Sequence, residues 1–318
     1  MRKRKHIVLI GSAGTATSFA AIKALRKNFN AIIVSIDINP QHLVTASLLS
    51  DYFVKVPPIA DEKFNVIIGE IINNYSVDTY IPIIDLEIFK CAKIFQEINN
   101  SNNIFLQVKD PEIAEICLDK YLTYTWLTKK GYPTPKTILI DKKTLENINN
   151  EQLIVKPKRG YGSKSVRRIY KDEAKLYLND ENYILQEVCE TPEITVDVCY
   201  SKKYESFHFA CRERIEVKSG VCTKTRIFFD KTLKDLAYSL ANDLNLLSFC
   251  FQVMMQNGSF VITDINARLG AGTALSVAAG LDFFSGMFSA LWGENPSKYF
   301  RRDFNEKFVT RQYSEYVM

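Results

Sequence analysis

The chain has 318 residues, 47% apolar and 24% charged, which excludes a disordered polypeptide and calls for two or three packed domains of a soluble protein. The net charge of +5 is spread along the sequence except at Arg2-Lys3-Arg4-Lys5, which reads as a solvated tail; no DNA- or RNA-binding motif accompanies it, so nucleic acid is excluded as a partner. Seven cysteines without a CxxC pair, and three histidines set apart from them, leave no material for a zinc site and point to reduced, buried thiols in the cytoplasm.

Residues 7–10 (Ile-Val-Leu-Ile) form a continuous apolar run, the pattern of a strand buried on both faces of a parallel sheet. Four apolar residues are too few for a signal peptide. Gly11-Ser12-Ala13-Gly14-Thr15 turns the chain into a helix over residues 18–27, and residues 31–37 are the next strand, so the start is a βαβ unit. Asp37 at the end of that strand is placed for a ribose, but the pattern G-x-A-x-x-A is an incomplete dinucleotide fingerprint, and NAD stays a minor alternative. A further strand is predicted over residues 79–84 and a helix over residues 87–99. Asp85 and Glu87 then stand at a strand's carboxyl end, where open α/β sheets place ligands; the competing reading is a helix cap with favourable first-turn charge.

The texture changes near Pro111, where we place a domain boundary. A helix is expected over residues 112–130, followed by the stiff connector Gly131-Tyr132-Pro133-Thr134-Pro135. The strand over residues 153–157 carries Lys156, and residues 158–165 form a basic loop with Gly160 and Gly162. Such glycines allow backbone to approach phosphate, though a solvent-exposed hairpin has the same composition; the loop is not of the Walker A type. Strands follow over residues 183–188 and 193–198, an extended stretch holds Arg212 and Arg214, and residues 231–246 show a helical stripe of Leu and Ala that is core.

Two β-prone runs, residues 249–255 and 259–265, flank Asn257-Gly258, the strongest short hairpin signal. Asp264, Asn266 and Arg268 alternate onto one face, where a carboxylate, an amide oxygen and a guanidinium suit a hard divalent cation beside a phosphate; a surface ion pair is the plain alternative. A two-residue turn would put Gln252 opposite Thr263. A three-residue turn with Gly258 left-handed would put Gln252 on the Asp264 face and gather Phe249, Phe251, Val253, Met255, Val261 and Ile265 on the other; we favour the second. Gly270-Ala271-Gly272 then offers bare N–H groups to an anion ahead of a helix over residues 273–279. Residues 274–292 carry one charge, Asp282. A mid-membrane aspartate costs about 2.5–3.5 kcal/mol, and Gly280-Leu281-Asp282 reads as a helix stop and a new cap, so two short buried helices are expected rather than a membrane span.

Taken together these segments resemble the ATP-grasp superfamily, in particular members similar to the carbamoyl-phosphate synthetase large chain. The resemblance runs over essentially the whole chain and implies a Rossmann-like preATP-grasp domain (residues 1–111) and a two-lobed ATP-grasp domain (residues 112–183 and 184–318), hence an α/β and α+β protein. Asp119-Lys120 followed by residues 131–135 resembles the family's first nucleotide-phosphate lysine segment, and Lys156 resembles the second such lysine. Residues 160–165, with Gly160, Gly162 and Ser163, resemble the glycine-rich flap over the phosphates. Gln186, Glu187 and Val188 resemble the segment that reads adenine, Glu193 the ribose-binding glutamate, and Arg214, with Arg212 nearby, the arginine facing the transferred phosphoryl group. Gln252, Asp264, Asn266 and Arg268 resemble the metal and phosphate cluster. Asp264 stands where the family has glutamate, which shortens the reach toward a pair of Mg²⁺ ions; Ala267 replaces a proline, and Ser165 a common flap glycine.

The resemblance implies an ATP- and Mg²⁺-dependent ligase that joins a small-molecule carboxylate to an amine or thiol through an acyl phosphate, releasing ADP, with Arg214 and Arg268 as catalytic residues and a homodimer as the common assembly. An ATP-binding sensor or partner subunit without ligase activity, and a kinase-like phosphotransferase, are the alternatives. No glutaminase or second synthetase half is present, which argues against full carbamoyl phosphate synthesis.

Overall fold

The computed structural model describes residues 5–102, 104–146, 148, 150–160, 165–218, 220–301 and 303–318. The first unit runs β1 (His6–Ile10), α1 (Ala16–Asn28), β2 (Ala31–Asp37), β3 (Tyr52–Lys55), α2 (Phe64–Asn74), β4 (Thr79–Ile81), α3 (Asp85–Asn102) and β5 (Phe105–Leu106). Its strands are all parallel, in the order β3-β2-β1-β4-β5, as the two-sided apolar runs require. The strand expected to reach residue 84 stops at Ile81, because Pro82 has no N–H to continue the ladder.

At the carboxyl edge of this sheet the Gly11 turn is closed by a carboxylate. Glu87 is 1% exposed and accepts from the hydroxyls of Tyr80 (2.6 Å) and Ser12 (3.1 Å) and from the N–H of Ile83 (3.2 Å). Burial raises its pKa despite these donors. A Cβ at Gly11 would overlap the Glu87 carboxylate, so Gly11→Ala should cost about 1–3 kcal/mol, read as a lower urea midpoint; an unchanged midpoint would contradict this packing.

The predicted helix over residues 112–130 is two helices, α4 (Pro111–Leu118) and α5 (Lys120–Lys130). Asp119 leaves the helical region (φ −109°, ψ 114°) and accepts from the N–H groups of Tyr121 and Leu122, so it ends one helix and caps the next. Lys120 therefore stands in the first turn of α5. The second unit adds β6 (Thr137–Leu139), α6 (Lys142–Glu146), β7 (Gln152–Pro157), β8 (Arg167–Tyr170) and β9 (Tyr183–Glu187), an antiparallel sheet in the order β6-β9-β7-β8. Because β9 is bonded on both sides within this sheet, we propose that the lobes join at residues 188–189, slightly beyond the 183/184 boundary expected from sequence.

The third unit comprises β10 (Glu190–Ser201), β11 (Ser206–Lys218), β12 (Val221–Phe228), α7 (Lys231–Leu244), β13 (Ser248–Gln256), β14 (Ser259–Asn266), α8 (Thr273–Ala278), α9 (Phe283–Leu291) and β15 (Lys307–Thr310). Its antiparallel sheet, β14-β13-β10-β11-β12-β15, buries one face under Leu233, Ala237, Leu240, Ala241 and Leu244 of α7, each contributing toward the 1.5–3 kcal/mol typical of a large buried side chain, roughly in proportion to its size. The other face packs on α9, which also packs on α1 and shares one hydrophobic cluster with Val8 and Ile10 of β1, so one continuous core joins the first and third units. Gly280 (φ +100°) ends the helical stretch of α8, and Asp282 caps α9 by accepting from the Ser285 N–H at 3.0 Å, as the sequence suggested. No helix among the described residues is long and apolar enough to cross a membrane. All seven cysteines are free, Cys189 half-buried and the others buried.

Candidate functional site

The β13–β14 hairpin corrects one expectation and keeps its consequence. Gln256 pairs with Ser259, so the turn has two residues, Asn257 (φ +50°) and Gly258 (φ +74°), rather than three. The register then slips: Val253 faces Ile262 but Gln252 faces Asp264, leaving Thr263 as a bulge. The bulge, not the turn, brings Gln252 and Asp264 to one face. It also puts Ile262, rather than Val261, in the core beside Phe249, Phe251, Val253 and Ile265.

Lys156, 7% exposed at the end of β7, reaches this bulge. Its Nζ donates to the Gln186 side-chain oxygen (2.9 Å) and to the Thr263 carbonyl (3.3 Å). Burial pushes its pKa down to about 8; Asp264 opposes that shift and Lys120 adds to it. Gln186 donates in turn to Thr137 Oγ1 (2.8 Å), so both ends of its amide are engaged and it orients the lysine instead of facing a base. Glu187 accepts from Gln256 Nε2 (2.9 Å), which ties the small lobe to the hairpin. Lys120 Nζ donates to the Gly160 carbonyl (3.0 Å); Gly162 and Ser163 lie outside the described residues.

Two arginines complete the wall. Arg268 donates to Asp85 Oδ2 (2.9 Å) across the boundary between first and third units and to Asn266 Oδ1 (3.2 Å), while Asn266 Nδ2 donates to Asp264 Oδ2 (3.3 Å). Asp85 thus pairs with an arginine instead of capping α3. Arg214 stands 3.3 Å from Glu193 and donates to the Gly220 carbonyl.

All of these groups but Thr137 and Gln256 line a single cavity of about 840 Å³, together with Gly270, Ala271 and Gly272 and the start of α1; among the described residues expected from sequence to hold ATP or metal, only Val188 stays out of its wall. Glu87, expected in an acceptor pocket with Asp85, is buried behind it. Two side-chain atoms on the wall, Asp85 Oδ1 and Arg268 Nε, are buried without a hydrogen-bond partner, which a structure tolerates where a ligand supplies one. The donor set of Asp264 with amide oxygens suits a magnesium ion that completes its shell on phosphates; among the described residues no three His, Cys, Asp or Glu side chains gather to hold a metal alone. At the other candidate, the Gly11 turn, Glu87 covers Gly11 and Asp37 accepts from the Gly14 N–H (2.7 Å), so two carboxylates occupy the ground a pyrophosphate would need.

Sequence reasoning placed Arg212 only near the site and did not single out Asp197. Arg212, 2% exposed, makes a bidentate pair with Asp197 (2.7 and 3.0 Å), which also accepts from Thr273 and Ser276. A Cβ at Gly272 would strike the Arg212 guanidinium, so that glycine makes room for an arginine as well as for a ligand. The alternation of Arg212 and Arg214 along β11 was a signal, but nothing local pairs Arg212 with a residue 15 positions earlier on the neighbouring strand.

Residues 117–272 match the family model described as an ATP-grasp domain. An uncharacterised protein of Mycoplasma genitalium is 33% identical over 88 residues, which span 28% of this chain and 29% of that protein's length. The fold resembles the biotin carboxylase domain of Hydrogenobacter thermophilus 2-oxoglutarate carboxylase, a dimer solved with MgADP and bicarbonate (TM-score 0.74, 15% identity, 96% of this chain and 74% of that one). It also resembles N5-carboxyaminoimidazole synthetase from Staphylococcus aureus, solved with ADP (TM-score 0.72, 16% identity, 93% and 80%). The chain thus carries an ATP-grasp domain, matched from the end of α4 to Gly272.

Proposed function

We propose that this protein is an ADP-forming ligase that activates a small-molecule carboxylate with ATP and Mg²⁺ and passes the acyl group to an amine or thiol. What carries the reading is the convergence of Lys120, Lys156, Arg214, Asp264 and Arg268, drawn from all parts of the ATP-grasp domain, on one cavity whose wall holds the unpartnered Asp85 Oδ1 and Arg268 Nε. In this reading the adenine end lies by Glu187 and Val188 and the ribose by Glu193. Lys120 and Lys156 hold phosphate oxygens. Bound Mg²⁺, held by Asp264 with the amides of Gln252 and Asn266, would neutralise phosphate charge. A carboxylate oxygen attacks the γ-phosphorus as the bond to ADP breaks; the nucleophile then attacks the acyl carbon, phosphate leaves, and the nucleophile's proton is lost. Arg214 and Arg268 face the charge that develops. The acceptor pocket is read where Asp85 meets residues 270–272. The free thiols agree with a reducing cytoplasm, and we read the assembly as a homodimer.

The test is incubation with ATP, Mg²⁺ and pooled carboxylic acids and amines, with ADP and product mass as readouts. Nucleotide binding with no acceptor-stimulated ADP would replace the reading with that of a sensor; a phosphorylated acid as the final product would make it a kinase. Asp264→Asn is expected to lower metal-dependent ADP release on the order of 10²–10³-fold, and near-normal release would refute the metal assignment.

A further inference from the structure

We infer that the acid activated by this protein carries a second anionic group, held between the N-terminus of α1 and the free side of Arg212. The inference deepens the ligase reading above and rests on it. Helix α1 opens onto the cavity through Thr15, Ala16 and Thr17, and no acidic residue stands in its first turn. Thr15 caps the helix by accepting from the Ser18 N–H (3.2 Å). The N–H groups of Ala16 and Thr17 and the Thr17 hydroxyl meet no partner among the described residues, although Thr17 is only 5% exposed. A buried hydroxyl and two bare N–H groups at the positive end of a helix form a receptor for an anion.

Arg212 adds to it from the third unit. Its Nε and Nη2 are committed to Asp197, while Nη1 makes no hydrogen bond among the described residues and lies against Gly272 on the cavity wall. Helix α1 packs on α8, whose N-cap is that glycine, so both sets of donors serve one end of the cavity. Positive charge is in excess there. Arg311 donates to the Ala271 carbonyl (2.7 Å), has no carboxylate at ion-pair distance among the described residues, and is held below its ordinary pKa by burial and by Arg212. The acid on this part of the wall, Asp85, is already paired with Arg268. A monoacid would spend its one anionic group at the γ-phosphorus and leave these donors without partners, whereas a second carboxylate or a phosphate ester satisfies them.

The full chain is incubated with ATP, Mg²⁺ and hydroxylamine, whose nitrogen takes the acyl group from the acyl phosphate as phosphate leaves. Hydroxamate then reports on the acid whatever the natural nucleophile is. Succinate is compared with butyrate, glutarate with valerate, and 3-phosphoglycerate with glycerate. The member with the additional anionic group is expected to be favoured in kcat/KM by about 10-fold or more, roughly the worth of one hydrogen bond to a charged group. Preference for succinate or glutarate identifies a second carboxylate, and preference for 3-phosphoglycerate a phosphate. Because Arg212 also holds Asp197, Thr17 carries the test: Thr17→Val should cut the preference about tenfold and Thr17→Ser should keep it. Equal use of both members of every pair, or hydroxamate from none, overturns the inference; a preference that survives Thr17→Val overturns its placement at α1. Equilibrium dialysis with the non-hydrolysable nucleotide AMP-PNP separates the failures. Nucleotide retained without hydroxamate leaves only this inference refuted, and nucleotide not retained brings down the ligase reading as well.

Discussion

Asp197→Ala is expected to destabilise the large-sheet unit by about 3–5 kcal/mol, enough to depress soluble yield and the urea midpoint sharply. The aspartate, on β10, is fully buried and accepts four hydrogen bonds, two from Arg212 on β11 and one each from Thr273 and Ser276 on α8. Burial alone would lower the Arg212 pKa and the pair with Asp197 holds it above its ordinary value; without that partner the guanidinium, which proteins do not deprotonate, remains as a stranded buried cation. Asp197→Asn should fare little better, since the amide keeps the volume and loses the charge. Removing both charges with Asp197→Leu and Arg212→Met should recover part of the loss, because most of the cost lies in the stranded cation. A single alanine variant within 1 kcal/mol of the parent would refute this account.

If the proposed ligase reading holds, Lys156→Met should lower ATP-dependent ADP formation on the order of 10²–10³-fold, through loss of the charge proposed to hold the phosphates. The same residue gives a pH signature. In the folded chain it loses its proton near 8, whereas an ordinary lysine holds it to 10.5. Between those values the unfolded chain binds the extra proton, so this residue's contribution to stability rises with pH through that window, and its buried charge costs about 3 kcal/mol at neutral pH. The stability difference between parent and variant should therefore shift in the parent's favour from pH 8 to 10.5. Nucleotide phosphates would restore the proton. Binding of AMP-PNP near pH 8.5 should take up protons in the parent and not in the variant, measured by calorimetry in buffers of different ionisation enthalpy. Equal proton uptake in both would remove Lys156 from the phosphate site.

What the sequence disclosed was whatever repeats at short range. The apolar run before Gly11, the Leu and Ala spacing of α7 and the cap at Asp282 are each decided within a few residues and stand as expected, and a hairpin does turn at Asn257-Gly258, though with two turn residues instead of the three expected. The bulge at Thr263 was invisible because both hairpin registers satisfy the local pattern; packing of Ile262 into the core selects between them. The break at Asp119 was hidden inside a helical stretch, although an aspartate followed by a lysine is itself a cap signal. The Asp197–Arg212 pair and the Asp85–Arg268 pair join residues 15 and 183 positions apart, and no periodicity reports such partners. The candidate site was therefore legible residue by residue, through family resemblance, while the contacts that hold those residues in place were not.

The ion pair between Asp85 and Arg268 bears on how this architecture is inherited and engineered. The anion that neutralises a buried cation of the C-terminal lobe is lent by the first helical turn after β4, so the leading unit is not an interchangeable module. Excising it, or grafting a homologous one without an acid at that point, would leave Arg268 as a naked charge facing the cavity, and the graft would have to bring its own counter-ion.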